Sequence, residues 1–272
     1  MEGLIKRETL LACIRIRSNN TGGSGTVIYS AKNKDGKFST YILTNQHVVA
    51  NNIKHETKFS PLLQHDVKTD VRGTVEVHFF RYRWEQRAVG STSVEADIMA
   101  YDPDEDLALL KLRSDDTVDS VAKLYPKGQE SKLPIGIQTI AIGAGLGEPP
   151  VLTQGYLSQF GREIDNREYW LQTAPTIYGN SGGAVFLVDT QEFIGVPSRI
   201  SVVLAGLGLD AITHLSFIVP ITRVYKFLED QMFRFIYDPE FTEEGEEAAR
   251  DEKRKEEERK VAQKESKGKK ES

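Results

Sequence analysis

Between residues 8 and 219 the chain is a succession of short apolar runs cut by turn formers: "TLLACIRIR", "GTVIYSA", "STYILTN", "TVEVHFFRYRW", "DLALLKL", "TIAIGA", "VLTQGYLSQF", "EYWLQT", "AVFLV", "FIGVPSRISVVLA" and "HLSFIVP". They are rich in Val, Ile, Thr and aromatics, and many alternate apolar with polar. Alternation with period two places successive side chains on opposite faces, so each run reads as a strand with one buried face. Without helical stretches between them, such runs build an all-β barrel or sandwich and exclude a βαβ fold. "HFFRYRWEQR" fits this pattern: Phe80, Tyr82 and Trp84 share one face, and Arg81, Arg83 and Glu85 the other. It therefore reads as a half-buried strand, against the alternative of a basic-aromatic platform for single-stranded nucleic acid.

Helical periodicity appears only after Pro220. "ITRVYKFLEDQMFRFI", residues 221–236, spaces Ile221, Val224, Phe227, Leu228, Met232 and Phe235 along one face behind an entrance proline. The remaining segment, 237–272, is a charged tail. Over 242–272 it is almost free of apolar residues, with Glu246/Arg250 and Glu256/Lys260 at i,i+4 spacing. It is expected to be a disordered or single-helix tail that can bind a partner.

The chain carries 28% charged residues and a net charge of -5, so no overall basic field draws it to nucleic acid or to an anionic membrane. No stretch approaches the ~20 apolar residues of a membrane span. The charged N-terminus lacks a signal-peptide core, and the single cysteine, Cys13, has no partner for an internal disulfide. Cys13 is expected to be a buried strand residue. These features predict a cytoplasmic protein.

The chemistry concentrates at "TIYGNSGGAVF", residues 176–186. Three glycines around one serine cost backbone entropy, which is worthwhile where the chain must turn sharply or approach another group closely. Ser181 is thus a candidate nucleophile, although a turn rich in glycine reads the same way. A serine hydroxyl needs a base within hydrogen-bond reach and a group that orients that base. Of five histidines, His47 in "STYILTNQHVVA" follows an apolar strand directly. Asp106 in "YDPDEDLALLKL" directly precedes one. Asp102, Asp104 and Asp106 also mimic the start of a calcium loop, but Leu107 stands where that loop requires glycine. "GNSGG" matches the elbow of α/β-hydrolases too, yet a strand follows it, and the order His47, Asp106, Ser181 is that of two-barrel proteases.

Together "GGSGTVIYS", "YILTNQHVV", "DPDEDLALLKL", "IAIGAGLGEPPVLTQGYLSQFGRE", "YWLQTAPTIYGNSGGAVF" and "LSFIVPI" resemble, in order, the hallmarks of HtrA/Deg-type, trypsin-like serine proteases. The resemblance implies a chymotrypsin-like double β-barrel over residues 1–236. The first barrel would span about 1–120 and the second about 134–220, joined by the polar segment 114–136, with a C-terminal helix at 221–236. It implies a serine endopeptidase that cuts protein or peptide substrates through an acyl-enzyme, with no metal or cofactor. His47 would be the general base, Asp106 its orienting acid and Ser181 the nucleophile. The amides of Gly179 and Ser181 would form the oxyanion hole.

By the same resemblance Pro175, Thr176, Leu215, Ser216 and Phe217 would line the substrate pocket, the last three also forming the substrate-edge strand. Pro175 stands where trypsin keeps its selecting acid, so cleavage after Lys or Arg is not expected, and small or medium apolar residues are. Asn180, in place of an aspartate, implies no zymogen-type ion pair. The chain departs from the family in lacking room for a PDZ domain after 236, in Tyr178 and the Ala174-Pro175 pair, and in a long insert within 51–90. The family often trimerises, which leaves a homo-oligomer open. The rival reading is a catalytically silent protease fold that binds a protein partner.

Overall fold

The computed structural model describes residues 7–19, 21–60, 65–83, 87–205 and 208–268. It forms two compact units, residues up to 52 with 73–227, and residues 53–72 with 228 onward.

In chain order the elements are α1 (Arg7–Leu11), β1 (Cys13–Ser18), β2 (Thr21–Lys32), β3 (Phe38–Thr44), α2 (Gln46–Val49), β4 (Ile53–Ser60), β5 (His65–Arg72), β6 (Thr74–Arg83), β7 (Arg87–Asp102), β8 (Leu107–Leu112), β9 (Gln138–Gly143), β10 (Val151–Ile164), β11 (Arg167–Gln172), β12 (Ala184–Leu187), β13 (Phe193–Ala205), β14 (Gly208–Pro220), α3 (Ile221–Asp230) and α4 (Glu243–Gly268). Strands β1-β2-β3-β8-β7-β6 close one barrel and β10-β11-β14-β13-β12-β9 a second, while β4 and β5 form a separate hairpin. This is the all-β architecture that the alternating runs predict, closed as the double barrel that the family resemblance implies. The hairpin accounts for part of the 51–90 insert; residues 61–64 between its strands lie outside the described ones.

Buried apolar residues pack the two barrels on one sheet face or the other. Ile14, Ile16, Val27, Ile42, Leu43, Val77, Leu107 and Leu109 are wholly buried in the first. In the second Ile140, Ile142, Phe186, Phe193, Val196 and Ile218 are equally buried, with Phe186 edge-to-face on Phe193 at 6.0 Å. Each such side chain contributes about 1.5–3 kcal/mol on leaving water. The connecting segment is stitched to both barrels: the Ala122 N–H donates to Val27 O (2.8 Å), and the Tyr125 N–H to Phe193 O (2.9 Å). On β6, Phe80 and Tyr82 are half-buried and Arg81 and Arg83 exposed, whereas Trp84 and Glu85 lie outside the described residues. Cys13 is buried, and burial pushes its thiol pKa up.

Three expectations need correction. "TLLA" is a single helical turn and not a strand, closed by the Ala12 N–H on Glu8 O at 3.0 Å. The helix expected over 221–236 stops at Asp230. Met232 takes a left-handed φ of 58°, and the Phe233 N–H closes on Leu228 O at 2.7 Å and the Met232 N–H on Glu229 O at 3.0 Å, a Schellman ending without glycine. The charged tail is helical as α4, but its first turns are not simply solvated. Glu246 is 2% exposed, accepting from Arg234 Nε (2.7 Å) and the Phe235 N–H (3.2 Å), while Arg250 donates to Met232 O and stacks on Phe233. The expected Glu246/Arg250 pair is thus replaced by longer-range partners.

Candidate active site

Asn45 follows β3 as the cap of the one-turn helix α2, which carries His47 out into solvent while Val48 and Val49 anchor it inward. Asp106 enters β8 from a tight acidic turn. There Asp102 Oδ1 accepts the N–H groups of Asp104 (2.8 Å) and Glu105 (3.0 Å), which gives that acidic cluster a structural purpose. Asp106 itself has a φ of 52°, in the left-handed region that disfavours most side chains. The neighbours hold it there. The Glu105 carboxylate is buried against Arg223 Nε of α3 at 2.6 Å, and Asn45 Nδ2 donates to Asp106 O at 2.7 Å.

So placed, the Asp106 carboxylate receives His47 Nδ1 at 2.9 Å and 3.0 Å, the His47 N–H at 3.2 Å and the Ser198 hydroxyl at 2.6 Å. The aspartate side chain is 15% exposed and the imidazole 48%. With Nδ1–H committed to the carboxylate, the accessible ring nitrogen is Nε2, in the basic tautomer.

Ser181 comes from the second barrel, on the loop between β11 and β12, and its backbone is sewn into the first. The Ser24 N–H of β2 donates to Ser181 O at 2.8 Å. Gly23 lies between the two sides: a Cβ there would fall 2.7 Å from Val48 and 3.0 Å from Ser181 O. Gly182 seats against the strand end that leads to His47. Its φ is 83°, and a Cβ would lie 2.2 Å from Thr44 Oγ1 and 2.3 Å from Ser24 O. Its N–H donates to Pro197 O at 3.1 Å, one residue before the serine that touches Asp106. The structure therefore brings the surroundings of His47, Asp106 and Ser181 to one seam.

Gly179 has a φ of 99°, and a Cβ would fall 2.6 Å from Ala144 O. Among the described residues, no acceptor is bonded to the N–H of Gly179 or of Ser181. Asn180 is buried and accepts the Ile177 N–H on its side-chain oxygen at 3.3 Å, bracing the loop as a neutral amide. A groove of about 1220 Å³ opens beside Gly179, lined by Tyr178, Leu146, Gly147, Arg15 and Arg17.

The pocket residues divide. Pro175 is exposed, Leu215 and Phe217 half-buried, and Thr176 buried with its N–H on Thr213 O at 2.8 Å. Ser216 is fully buried and its hydroxyl accepts from Gln172 Nε2 at 2.5 Å. Residues 215–217 cannot form a substrate edge. Ser216 and Phe217 of β14 pair with β11 on one side and β13 on the other. The strand leading away from the Asp106 contact is β13, whose Arg199–Ser201 stretch is paired on the β14 side. Ser24 and Ser198, both central to the site, are the residues the sequence reading missed. "GGSGTVIYS" entered only through the family resemblance, and nothing local marks a serine that acts on a distant loop.

Fold and site together define a chymotrypsin-like double barrel with a bonded His–Asp pair on the first barrel and a glycine-framed serine on the second. The model of the trypsin-like peptidase domain matches residues 23–196. The chain belongs to the trypsin-like peptidase family, and within it is HtrA-like. It is 30% identical over 211 residues, 76% of its length, to a "Probable periplasmic serine endoprotease DegP-like" of Pseudomonas fulva. It is 31% identical over 181 residues, 65% of its length, to a protein of the same description from Hahella chejuensis. It covers 34% and 29% of those proteins, about a third of their length. Among solved structures, an HtrA-type protease, AlgW, with a tripeptide superposes with a TM-score of 0.58 at 19% identity, over 83% of this chain and 61% of that one, a likeness of fold.

The relatives overturn the cytoplasmic placement expected above, since both are named periplasmic. A lone thiol forms no internal disulfide in any compartment, so one cysteine does not report redox surroundings. Among the described residues no helix is long and apolar enough to cross a membrane.

Proposed function

We propose that the chain is the protease domain of a serine endopeptidase that hydrolyses peptide bonds through an acyl-enzyme on Ser181. The observation that carries the reading is the bonding of His47 Nδ1 to the Asp106 carboxylate, beside a loop whose glycines seat Ser181 against the same strand ends. Ser181 Oγ attacks the carbonyl, His47 Nε2 takes its proton and returns it to the leaving amine, and Asp106 stabilises the imidazolium. The N–H groups of Gly179 and Ser181, without an acceptor among the described residues, bind the oxyanion, where such a donor is worth ~3–4 kcal/mol.

The substrate would be an extended protein or peptide segment adding to β13 at Ser198–Ile200, since main-chain pairing to a strand edge gives affinity without dictating sequence. With Pro175 in place of an acid, the pocket would take small or medium apolar side chains. Its walls would be drawn from Pro175, Thr176, Leu215, Ser216 and Phe217.

A fluorophosphonate probe tests this directly. Wild type should be labelled at Ser181, and Ser181→Ala should lose both labelling and peptide cleavage while keeping its circular dichroism spectrum. A folded wild-type chain that never labels would instead support a partner-binding protease fold.

A further inference from the structure

We propose that Ser24 and Arg15, register partners on β2 and β1, are positioning residues that clamp the 144–147 turn and thereby aim the Gly179 N–H into the oxyanion hole. The proposal rests on the serine-protease reading for its catalytic consequence and on geometry alone for the clamp.

The peptide joining Tyr178 to Gly179 decides where that N–H points. A trans peptide is planar, with its C=O and N–H on opposite sides. Holding the Tyr178 carbonyl therefore sets the direction of the Gly179 amide. The Leu146 N–H holds it, donating to Tyr178 O at 2.8 Å. Leu146 is a poor residue for this work by its own preferences. Its φ is 54°, in the left-handed region costly for a branched side chain, and the side chain is 74% exposed, so no packing compensates. Something else must hold the turn.

Both ends of the turn are held by the first barrel. At its start, the Ala144 N–H donates to Ser24 Oγ at 2.7 Å. The same hydroxyl donates to Gly179 O at 2.6 Å, fixing the next peptide as well. Ser24 is fully buried, so no water substitutes for it. At its end, Gly147 O accepts Arg15 Nη1 at 2.5 Å. The guanidinium is aimed by its surroundings. It lies 5.2 Å over the Phe80 ring, and Nη2 is 3.3 Å from His78 Nδ1. His78 is buried, and that burial, together with the Arg15 charge, holds it below its ordinary pKa and keeps Nδ1 free as an acceptor. Its Nε2–H faces Glu76 at 3.3 Å. The chain of contacts runs from Glu76 through His78, Arg15, Gly147 and Leu146 to Tyr178, and ends at the Gly179 amide.

Ser24→Ala removes one hydroxyl with no gain in volume, and Arg15→Met keeps an unbranched side chain while deleting both donors together with the guanidinium over Phe80. Each variant should lower kcat by ~10–100-fold, less than deletion of an oxyanion donor, and leave KM within about threefold. Arg15→Lys, which retains a donor, should recover part of the loss. Amide hydrogen exchange gives a readout independent of catalysis. Exchange at Leu146 should speed at least ~10-fold in both variants while that of Ile42 and Leu109 in the barrel stays fixed. Unchanged Leu146 exchange overturns the clamp, as does unchanged kcat in an enzyme that wild-type labelling has shown to be active. If wild type never labels, the hydrolase reading fails, and with it the catalytic role. The Leu146 exchange then still decides whether the clamp exists.

Discussion

The two sides of the site are specified by different physics. On the first barrel, His47 and Asp106 are held by side-chain chemistry: the carboxylate takes two ring contacts, one backbone N–H and one hydroxyl. On the second, the Ser181 loop is held by the absence of side chains. Gly179, Gly182 and Gly183 each leave room that a Cβ would fill within 2.6 Å of backbone or hydroxyl oxygen. One side is defined by what is present and the other by what is missing. Substitutions on the two should therefore fail in different ways: loss of turnover with an intact fold on the first, and loss of fold on the second.

The sharpest test on the first side is Asp106→Asn. The amide keeps the shape but presents an N–H or a weaker acceptor to His47, stabilising the wrong tautomer. Turnover should drop by ~10⁴, about 5.5 kcal/mol at the transition state. Thermal melting should move by only a degree or two, because the site is half open to water. A large fall in Tm would mean that the carboxylate serves the fold, and would break the contrast.

On the other side, Gly182→Ala puts a methyl 2.2 Å from Thr44 Oγ1 and 2.3 Å from Ser24 O, at a φ of 83°. Thr44 cannot swing aside freely, because its hydroxyl already donates to Ser24 O at 2.7 Å. The expected cost is about 3 kcal/mol of stability, from backbone strain and overpacking combined. For a chain of this size that corresponds to a drop in Tm of ~6–12 °C by calorimetry. Should Gly182→Ala melt with wild type and merely lose activity, the loop is more plastic than its contacts suggest.

The same contrast explains what the sequence disclosed. Strands announced themselves because a half-buried strand must alternate, and the glycines around Ser181 stood out because few other reasons justify them. His47 and Asp106 were legible from their positions at strand ends. The supporting residues were not, since each acts across a long stretch of chain: 155 residues from Ser24 to Gly179, 92 from Ser198 to Asp106, and 118 from Arg223 to Glu105. No local pattern encodes such a pairing. The substrate-edge assignment failed for a related reason, because whether a strand has a free edge depends on neighbours that periodicity does not name. The one-turn helix at Thr9 and the left-handed Met232 escaped notice because neither carries a glycine or proline to mark it.

Ser198 gives the finest test, because it is a side-chain support whose loss leaves the main contacts in place. In Ser198→Ala, Asp106 loses one hydroxyl donor but keeps both ring contacts and the His47 N–H. A hydrogen bond to a charged group contributes about 1.5–3 kcal/mol when nothing replaces it. Here the carboxylate is partly exposed, so water recovers a share, and kcat/KM should fall by ~10-fold. Ser198→Thr, which keeps the hydroxyl, should restore most of it. A fall as deep as that of Asp106→Asn would mean that the hydroxyl fixes the carboxylate rotamer outright. No fall at all would mean that Asn45 and the buried Glu105–Arg223 pair, acting on the backbone, suffice to aim it.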